Sequence, residues 1–178
     1  MMQVNYRLLN SRDIEKYKLI RLDCLKNYPE HFGDSHEEEI NATQKFYRIL
    51  NTEDDSSFLF GAFTGYRLIG ICGFLKDGRI KTRHRGDLVQ FYVAPQYSGL
   101  GFGKTLMEYT IIRAFDDPLI DQILLSVVYT NENAIRLYQK FGFTSYGIIE
   151  NYFKDKGQSW SQMFMYLTRD KYLSLDNN

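Results

Sequence analysis

Nine consecutive residues carry the first chemical signal in the chain: Tyr97-Ser98-Gly99-Leu100-Gly101-Phe102-Gly103-Lys104-Thr105. Alternating glycines let successive backbone N–H groups turn toward one point, and the apolar spacing that follows them reads as a helix. A loop that opens a helix is an anion site, because the first N–H groups of a helix lack partners and carry the positive end of its dipole. Two nucleotide templates fail here. Ser98 stands where the phosphate loop of nucleotide hydrolases needs glycine, and Lys104 stands where the Gly-x-Gly-x-x-Gly fingerprint, counted from Gly99, needs its third. The same glycines also suit a turn that merely lets a strand pack closely on a helix.

A second group lies in Asn131-Glu132-Asn133-Ala134-Ile135-Arg136-Leu137-Tyr138-Gln139-Lys140-Phe141-Gly142-Phe143. Ala134, Leu137, Tyr138 and Phe141 fall on one helical stripe, with Asn131 placed to cap its start and Gly142 to stop it. A phenol with a pKa of ~10 is protonated at neutral pH and can serve as an acid toward a thiolate with a pKa of ~8.5. In such a stripe a tyrosine is also an ordinary core residue, and both readings stand.

These residues need elements to hold them. "VNYRLLN" reads as a strand, and Ile14, Tyr17, Leu22 and Leu25 give a first helix its apolar stripe. "YPEHFGDS" breaks that helix, and "HEEEINATQKFYRIL" resumes helical spacing through Ile40, Phe46, Ile49 and Leu50. "SFLFGAFTG" and "RLIGICGFL" form a hairpin about Gly65-Tyr66, and "GDLVQFYVAP" is a strand stopped by Pro95. Past the glycine loop, Leu106, Met107, Thr110, Ile111, Ala114 and Phe115 share one helix face, and "QILLSVVYT" is an apolar strand expected to be covered on both faces. Strand, glycine turn, helix and strand make a βαβ unit with parallel strands. "FTSYGIIENYF" and "WSQMFMYLT" close the sheet as a late antiparallel pair. The chain reads as one domain over residues 1–173 with a polar tail over 174–178.

Composition narrows the function. Of 178 residues 44% are hydrophobic and 25% charged, an ordinary globular balance. Twenty-two basic and twenty-two acidic residues leave no general attraction to nucleic acid or to an anionic membrane. Cys24 and Cys72 have no CxxC spacing and the three histidines are scattered, so we expect reduced thiols, no metal site and a cytoplasmic protein. No run approaches the ~18 apolar residues of a membrane span.

The order of elements resembles the GNAT family of acetyl-CoA-dependent N-acetyltransferases, and two motifs strengthen the likeness. Val93-Ala94-Pro95-Gln96-Tyr97-Ser98-Gly99-Leu100-Gly101-Phe102-Gly103 is similar to that family's Val-x-Pro-x-x-Arg/Gln-Gly-x-Gly-x-Gly/Ala loop, with Ser98 in the Arg/Gln position. The Asn131–Phe143 segment is similar to its Asn-x-x-Ala-x-x-Leu-Tyr-x-Lys-x-Gly-Phe signature, and "YPEHF" to its Pro-Glu-x-Phe segment. The resemblance implies an α/β fold whose mixed, mostly antiparallel sheet contains a βαβ acetyl-CoA unit. It implies direct acetyl transfer to a primary amine of a small molecule or peptide, with acetyl-CoA as co-substrate, no metal and no covalent enzyme intermediate.

Residue by residue, the resemblance assigns the pyrophosphate to Ser98 and to the backbone of Gly99, Leu100, Gly101, Phe102, Gly103 and Lys104. Lys104 and Thr105 add a charge and a hydroxyl, or are simply a solvated first turn. It assigns pantetheine and the acetyl group to the backbone of Phe91, Tyr92 and Val93, cofactor-side amides to Asn131 and Asn133, and the acid to Tyr138. The base is left open among Asp87, His36, Glu37, Glu38, Glu39 and Glu150. A non-catalytic acyl-CoA-sensing or protein-interaction module on the same fold, and transfer of a bulkier acyl group, are the competing readings. The aromatic late strands suit pairing across a homodimer.

Overall fold

The computed structural model describes residues 2–41, 50 and 56–175. Among these, seven strands form one sheet in the order β1-β2-β3-β4-β5-β7-β6, with β1 Asn5–Leu8, β2 Phe58–Thr64, β3 Arg67–Lys76, β4 Arg85–Val93, β5 Gln122–Val128, β6 Thr144–Asp155 and β7 Gln158–Thr168. Only β4 and β5 pair in parallel; every other neighbour is antiparallel. Five helices among the described residues accompany them: α1 Ile14–Asn27, α2 His36–Asn41, α3 Phe102–Phe115, α4 Glu132–Lys140 and α5 Arg169–Leu175. The α/β class, the hairpin about Gly65-Tyr66 and the parallel βαβ unit are as the sequence implied.

Two apolar clusters sit on opposite faces of the sheet. α3 and α4 cover one face, where Leu106, Met107 and Ile111 pack on Ile69, Cys72, Leu88 and Ile123. α1 covers the other, where Tyr17, Ile20 and Leu25 pack on Leu59, Ile71 and Tyr92. Burying such side chains contributes roughly 1.5–3 kcal/mol apiece before entropy is subtracted. Both cysteines are buried free thiols.

Four expectations change. The buried face of α1 includes Arg21, while Leu22 is only half-buried, because the guanidinium finds acidic partners in the loop and the helix α2 that follow. Ile40 is 52% exposed rather than part of an apolar stripe. β5 is fully covered on one face only: Ile123, Leu125 and Val127 are buried in the cluster with α3 and α4, whereas on the other face Val128 is buried, Leu124 half-buried and Ser126 exposed. The polar tail begins inside α5, which runs to Leu175. Phe46, Ile49, the acidic run at 51–55 and residues 176–178 lie outside the described residues.

Candidate active site

β4 and β5 pair only through Arg85–Gln122, Gly86–Ile123 and Asp87–Leu124. Beyond Asp87 the strands diverge, β4 staying with β3 and β5 with β7, so a wedge opens between Leu88–Val93 and Leu125–Val128. A bulge in β4 helps to aim its backbone into this wedge. Ile71 pairs with Tyr92 but Gly73 pairs with Val89, so three steps on β4 oppose two on β3. Gln90 takes up the extra length at φ 54°, a left-handed conformation that costs a non-glycine residue about 1–3 kcal/mol.

The bulge sends neighbouring side chains to opposite faces. The Tyr17 hydroxyl on α1 donates to Gln90 Oε1 at 3.0 Å, and the Tyr92 hydroxyl donates to Asp23 of α1 at 2.7 Å. Phe91 goes the other way: its ring lies edge-on to Tyr138 of α4 at 6.2 Å and would be 3.2 Å from a Cβ at Gly103. A Cβ at Gly103 would therefore crowd the Phe91 ring where α3 crosses β4, whereas a Cβ at Gly99 or Gly101 would meet nothing within 4 Å. Those two are needed for their backbone, at φ 75° and 85°.

Gly101 caps α3 with no side-chain hydrogen bond. Among the described residues, the N–H groups from Gly99 to Lys104 have no protein partner; Ser98 N–H donates to Pro95 O and Thr105 N–H to Gly101 O. Six successive unpaired donors at a helix start fit the pyrophosphate of acetyl-CoA. The Ser98 and Lys104 side chains are exposed beside them. Thr105 Oγ1 lies 3.5 Å from Gly101 O, turned back along its own helix.

Tyr138 is 6% exposed, with Phe91 on one side and Phe143 on the other. Burial, and then the nearby Cys72 thiol, push its phenol well above the ordinary range, so it holds its proton at any working pH. Asn131 Oδ1 caps α4 by accepting from Ala134 N–H at 3.2 Å. Asn133 is exposed, and its side-chain oxygen accepts from Arg136 at 2.9 Å.

On the α1 face, the loop after α1 bridges the wedge. Tyr28 packs edge-on to Tyr92 of β4 at 6.1 Å, and the Pro29–His31 turn lies against β5. Arg21 holds this loop from below, reaching Asp34 at 2.5 Å and Glu39 at 3.5 Å with Phe32 stacked over its guanidinium. Exposed Ser126 of β5 and buried Gln162 of β7, whose Nε2 donates to Ser126 Oγ at 2.9 Å, lie beyond it.

The candidate bases are dispersed. Asp87 sits in the paired stretch of β4, before the wedge opens. Glu38 accepts from Ser35 N–H at 2.8 Å, and Glu39 faces Arg21. Glu37 and Glu150 are exposed, and His36 is half-buried at the start of α2. Among the described residues there is no group of three or more His, Cys, Asp or Glu that could hold a metal, and no helix long and apolar enough to cross a membrane.

The family model of the acetyltransferase (GNAT) family matches residues 18–143, a span that contains all of α1 but its first turn, the wedge, the glycine loop and Tyr138. The chain belongs to that family. This GNAT chain is 30% identical over 107 residues to spermidine N(1)-acetyltransferase of Vibrio cholerae, covering 60% of each protein. It is 29% identical over 155 residues to an N-alpha-acetyltransferase of Sulfurisphaera tokodaii, covering 84% of this chain and 87% of that one. A crystal structure of spermidine N-acetyltransferase from Vibrio cholerae in complex with CoA and spermine superposes with a TM-score of 0.73 at 23% identity, over 96% of this GNAT chain and 98% of the other.

Three features of the site gave no signal in the sequence: the Gln90 bulge, the buried Arg21, and His31. A positive φ at a glutamine leaves no compositional trace, and a buried arginine breaks the apolar pattern used to find buried faces. His31 lies within the Pro-Glu-x-Phe resemblance, yet its neighbour Asn131 is a hundred residues away.

Proposed function

We propose that the chain transfers the acetyl group of acetyl-CoA directly to a primary amine of a small molecule or peptide. The observation that carries this reading is the conjunction of the β4–β5 wedge with six unpaired N–H groups at the α3 start. One site can hold a pyrophosphate, and the other lets a thioester lie beside β4. In this reading Ser98 and the backbone from Gly99 to Lys104 hold the phosphates, with Lys104 and Thr105 at the rim. The β4 backbone at Phe91, Tyr92 and Val93 holds the pantetheine arm and donates toward the thioester oxygen, where charge develops. Asn131 and Asn133 flank the arm from α4.

Tyr138 protonates the departing sulfur. Its raised pKa opposes that transfer in water, but a thiolate confined beside Phe91 and Tyr138 is desolvated as well, so both sites shift in the same direction. The acceptor enters from the α1 face, where Ser126 of β5 is exposed. The acidic Glu30, Asp34, Glu37 and Glu38 around that entrance favour a cationic amine, such as a polyamine, an amino sugar or a peptide N-terminus.

One observation favours the second reading, a non-catalytic acyl-CoA sensor: Tyr138 is packed into the apolar core, with Phe91 and Phe143 against its ring. Titration calorimetry followed by an assay of thiol release tests both. Acetyl-CoA binding with amine-dependent release supports the transferase, binding alone supports the sensor, and no binding removes both. The finer expectations belong to the same reading: a cytoplasmic enzyme without nucleic-acid or membrane partners, paired through the exposed Tyr146, Ile148, Ile149 and Tyr152 of the β6 edge into a homodimer.

A further inference from the structure

We propose that His31 is the group that takes the proton from the acceptor amine, a role that rests on the transferase reading above and adds to it the missing base. Asn131 stands at the start of α4. Asn131 Oδ1 is committed to the cap of that helix, accepting from Ala134 N–H, which fixes the orientation of the carboxamide. Its Nδ2, a donor only, therefore faces His31 Nδ1 at 3.4 Å. Facing a donor, Nδ1 favours the lone pair and Nε2 the proton. Nε2 lies 3.6 Å from Glu30 Oε1, a carboxylate that suits the Nε2–H tautomer and steadies an imidazolium once one forms.

The ring is positioned by its neighbours. It stacks on Tyr28 at 5.4 Å and 8°, and Tyr28 rests on Tyr92 at the β4 edge of the wedge, while the turn itself lies on β5. His31 thus sits over the wedge on the α1 face. Tyr138 stands on the opposite face, among the residues packed against α3 and α4. Acid and base flank the reacting centre from opposite sides of the sheet, one beside the sulfur and one beside the incoming nitrogen.

The contact with Asn131 is longer than an ordinary hydrogen bond, so an amine N–H can displace it with little loss. Burial lowers the His31 pKa and Glu30 raises it, with the net shift downward, so the imidazole is neutral and ready to accept at neutral pH. Among the described residues the charge acting on it is that of Glu30; Tyr28 and Asn131, which also face it, are neutral. Its side chain remains 27% exposed, which gives the proton an exit.

The protons balance. An acceptor arriving as an ammonium gives one proton to His31 Nδ1, which passes it to solvent, and the freed lone pair forms the C–N bond to the acetyl carbon. The C–S bond breaks, the sulfur keeps its electrons and takes a proton from Tyr138. The nitrogen's second proton, lost as the amide forms, restores the Tyr138 phenol through solvent.

Three measurements on the full chain test this. In the free protein, nitrogen NMR of the imidazole at pH 7.5 should find Nε2 protonated and Nδ1 bare; the opposite tautomer overturns the proposal. His31→Ala should lower the single-turnover rate by about 10²-fold, and added imidazole should restore part of it. Glu30→Gln should move the ascending limb of the rate, whose midpoint lies below 6.5, to still lower pH, because it removes the charge that raises the His31 pKa. A His31→Ala variant within about threefold of the parent rate overturns the assignment, as does a slow variant that imidazole cannot rescue but that keeps its low-pH limb. If the parent protein binds acetyl-CoA yet turns over no amine, the transferase reading fails first and this assignment with it.

Discussion

The Tyr17 hydroxyl of α1 and the Gln90 carboxamide of the β4 bulge are joined by a 3.0 Å hydrogen bond that spans seventy-three residues of chain. Among the described residues it is the one side-chain partner that holds Gln90 in its left-handed conformation, since the Gln90 Nε2 is buried without a partner. Tyr17→Phe leaves the whole carboxamide unsatisfied. We expect a stability loss of about 1–3 kcal/mol in urea unfolding, with an unchanged denaturant slope. A loss below about 0.5 kcal/mol would mean that the bulge is held by its register with β3 alone.

Gly101 separates two contributions to the glycine loop. Its φ is 85°, and an added methyl group would meet nothing within 4 Å, so Gly101→Ala carries only the backbone cost of about 1–2 kcal/mol. If the loop relaxes to avoid that cost, the N–H groups no longer converge, and acetyl-CoA affinity should fall by about tenfold in a titration, a loss equivalent to about 1.4 kcal/mol. Unchanged affinity would show that the donors converge without Gly101.

Much of the scaffold was legible because it rests on local chemistry. The Gly65-Tyr66 turn, the 3.6-residue spacing of Leu106, Met107, Thr110 and Ile111, and the Asn131 cap are each set by residues a few positions apart. The glycine loop and the Asn131–Phe143 segment were legible as motifs. What escaped depends on distant partners. Arg21 is buried because Asp34 and Glu39 fold back over it, and Gln90 is bent because β3 opposes it with one residue fewer. β5 was expected to be covered on both faces from its apolar run, but Ser126 on the second face is exposed, and no spacing within β5 carries that information.

Asp13 gives the fold an acid limit. It accepts from Arg7 at 2.6 and 2.8 Å, and this guanidinium, more than any other neighbour, holds its pKa below the usual carboxylate range. A carboxyl depressed in the folded state stabilises fully above its unfolded pKa of ~3.9, and that contribution is lost as pH falls from there through the folded value. Asp13→Asn should therefore be less stable than the parent at pH 7 and show a shallower decline below about pH 4. Parallel stability–pH curves for the two proteins would remove Asp13 from this account.

Tyr138→Phe preserves the ring against Phe91 and Phe143 but removes the proton. Its single-turnover rate at saturating amine should fall by about 10²-fold or more while acetyl-CoA affinity changes little. An unchanged rate in a folded variant would make Tyr138 a core residue and leave protonation of the sulfur to water.

In the proposed function, the wedge and the glycine loop together make an acetyl donor site open to amines on the α1 face. Thiol release from acetyl-CoA, measured against a panel of polyamines, amino sugars, amino acids and peptide N-termini, tests it most directly. The account predicts release that requires one class of primary amine, with the acetylated amine recovered in equal amount. Saturable acetyl-CoA binding with no amine-dependent release across the whole panel would contradict it.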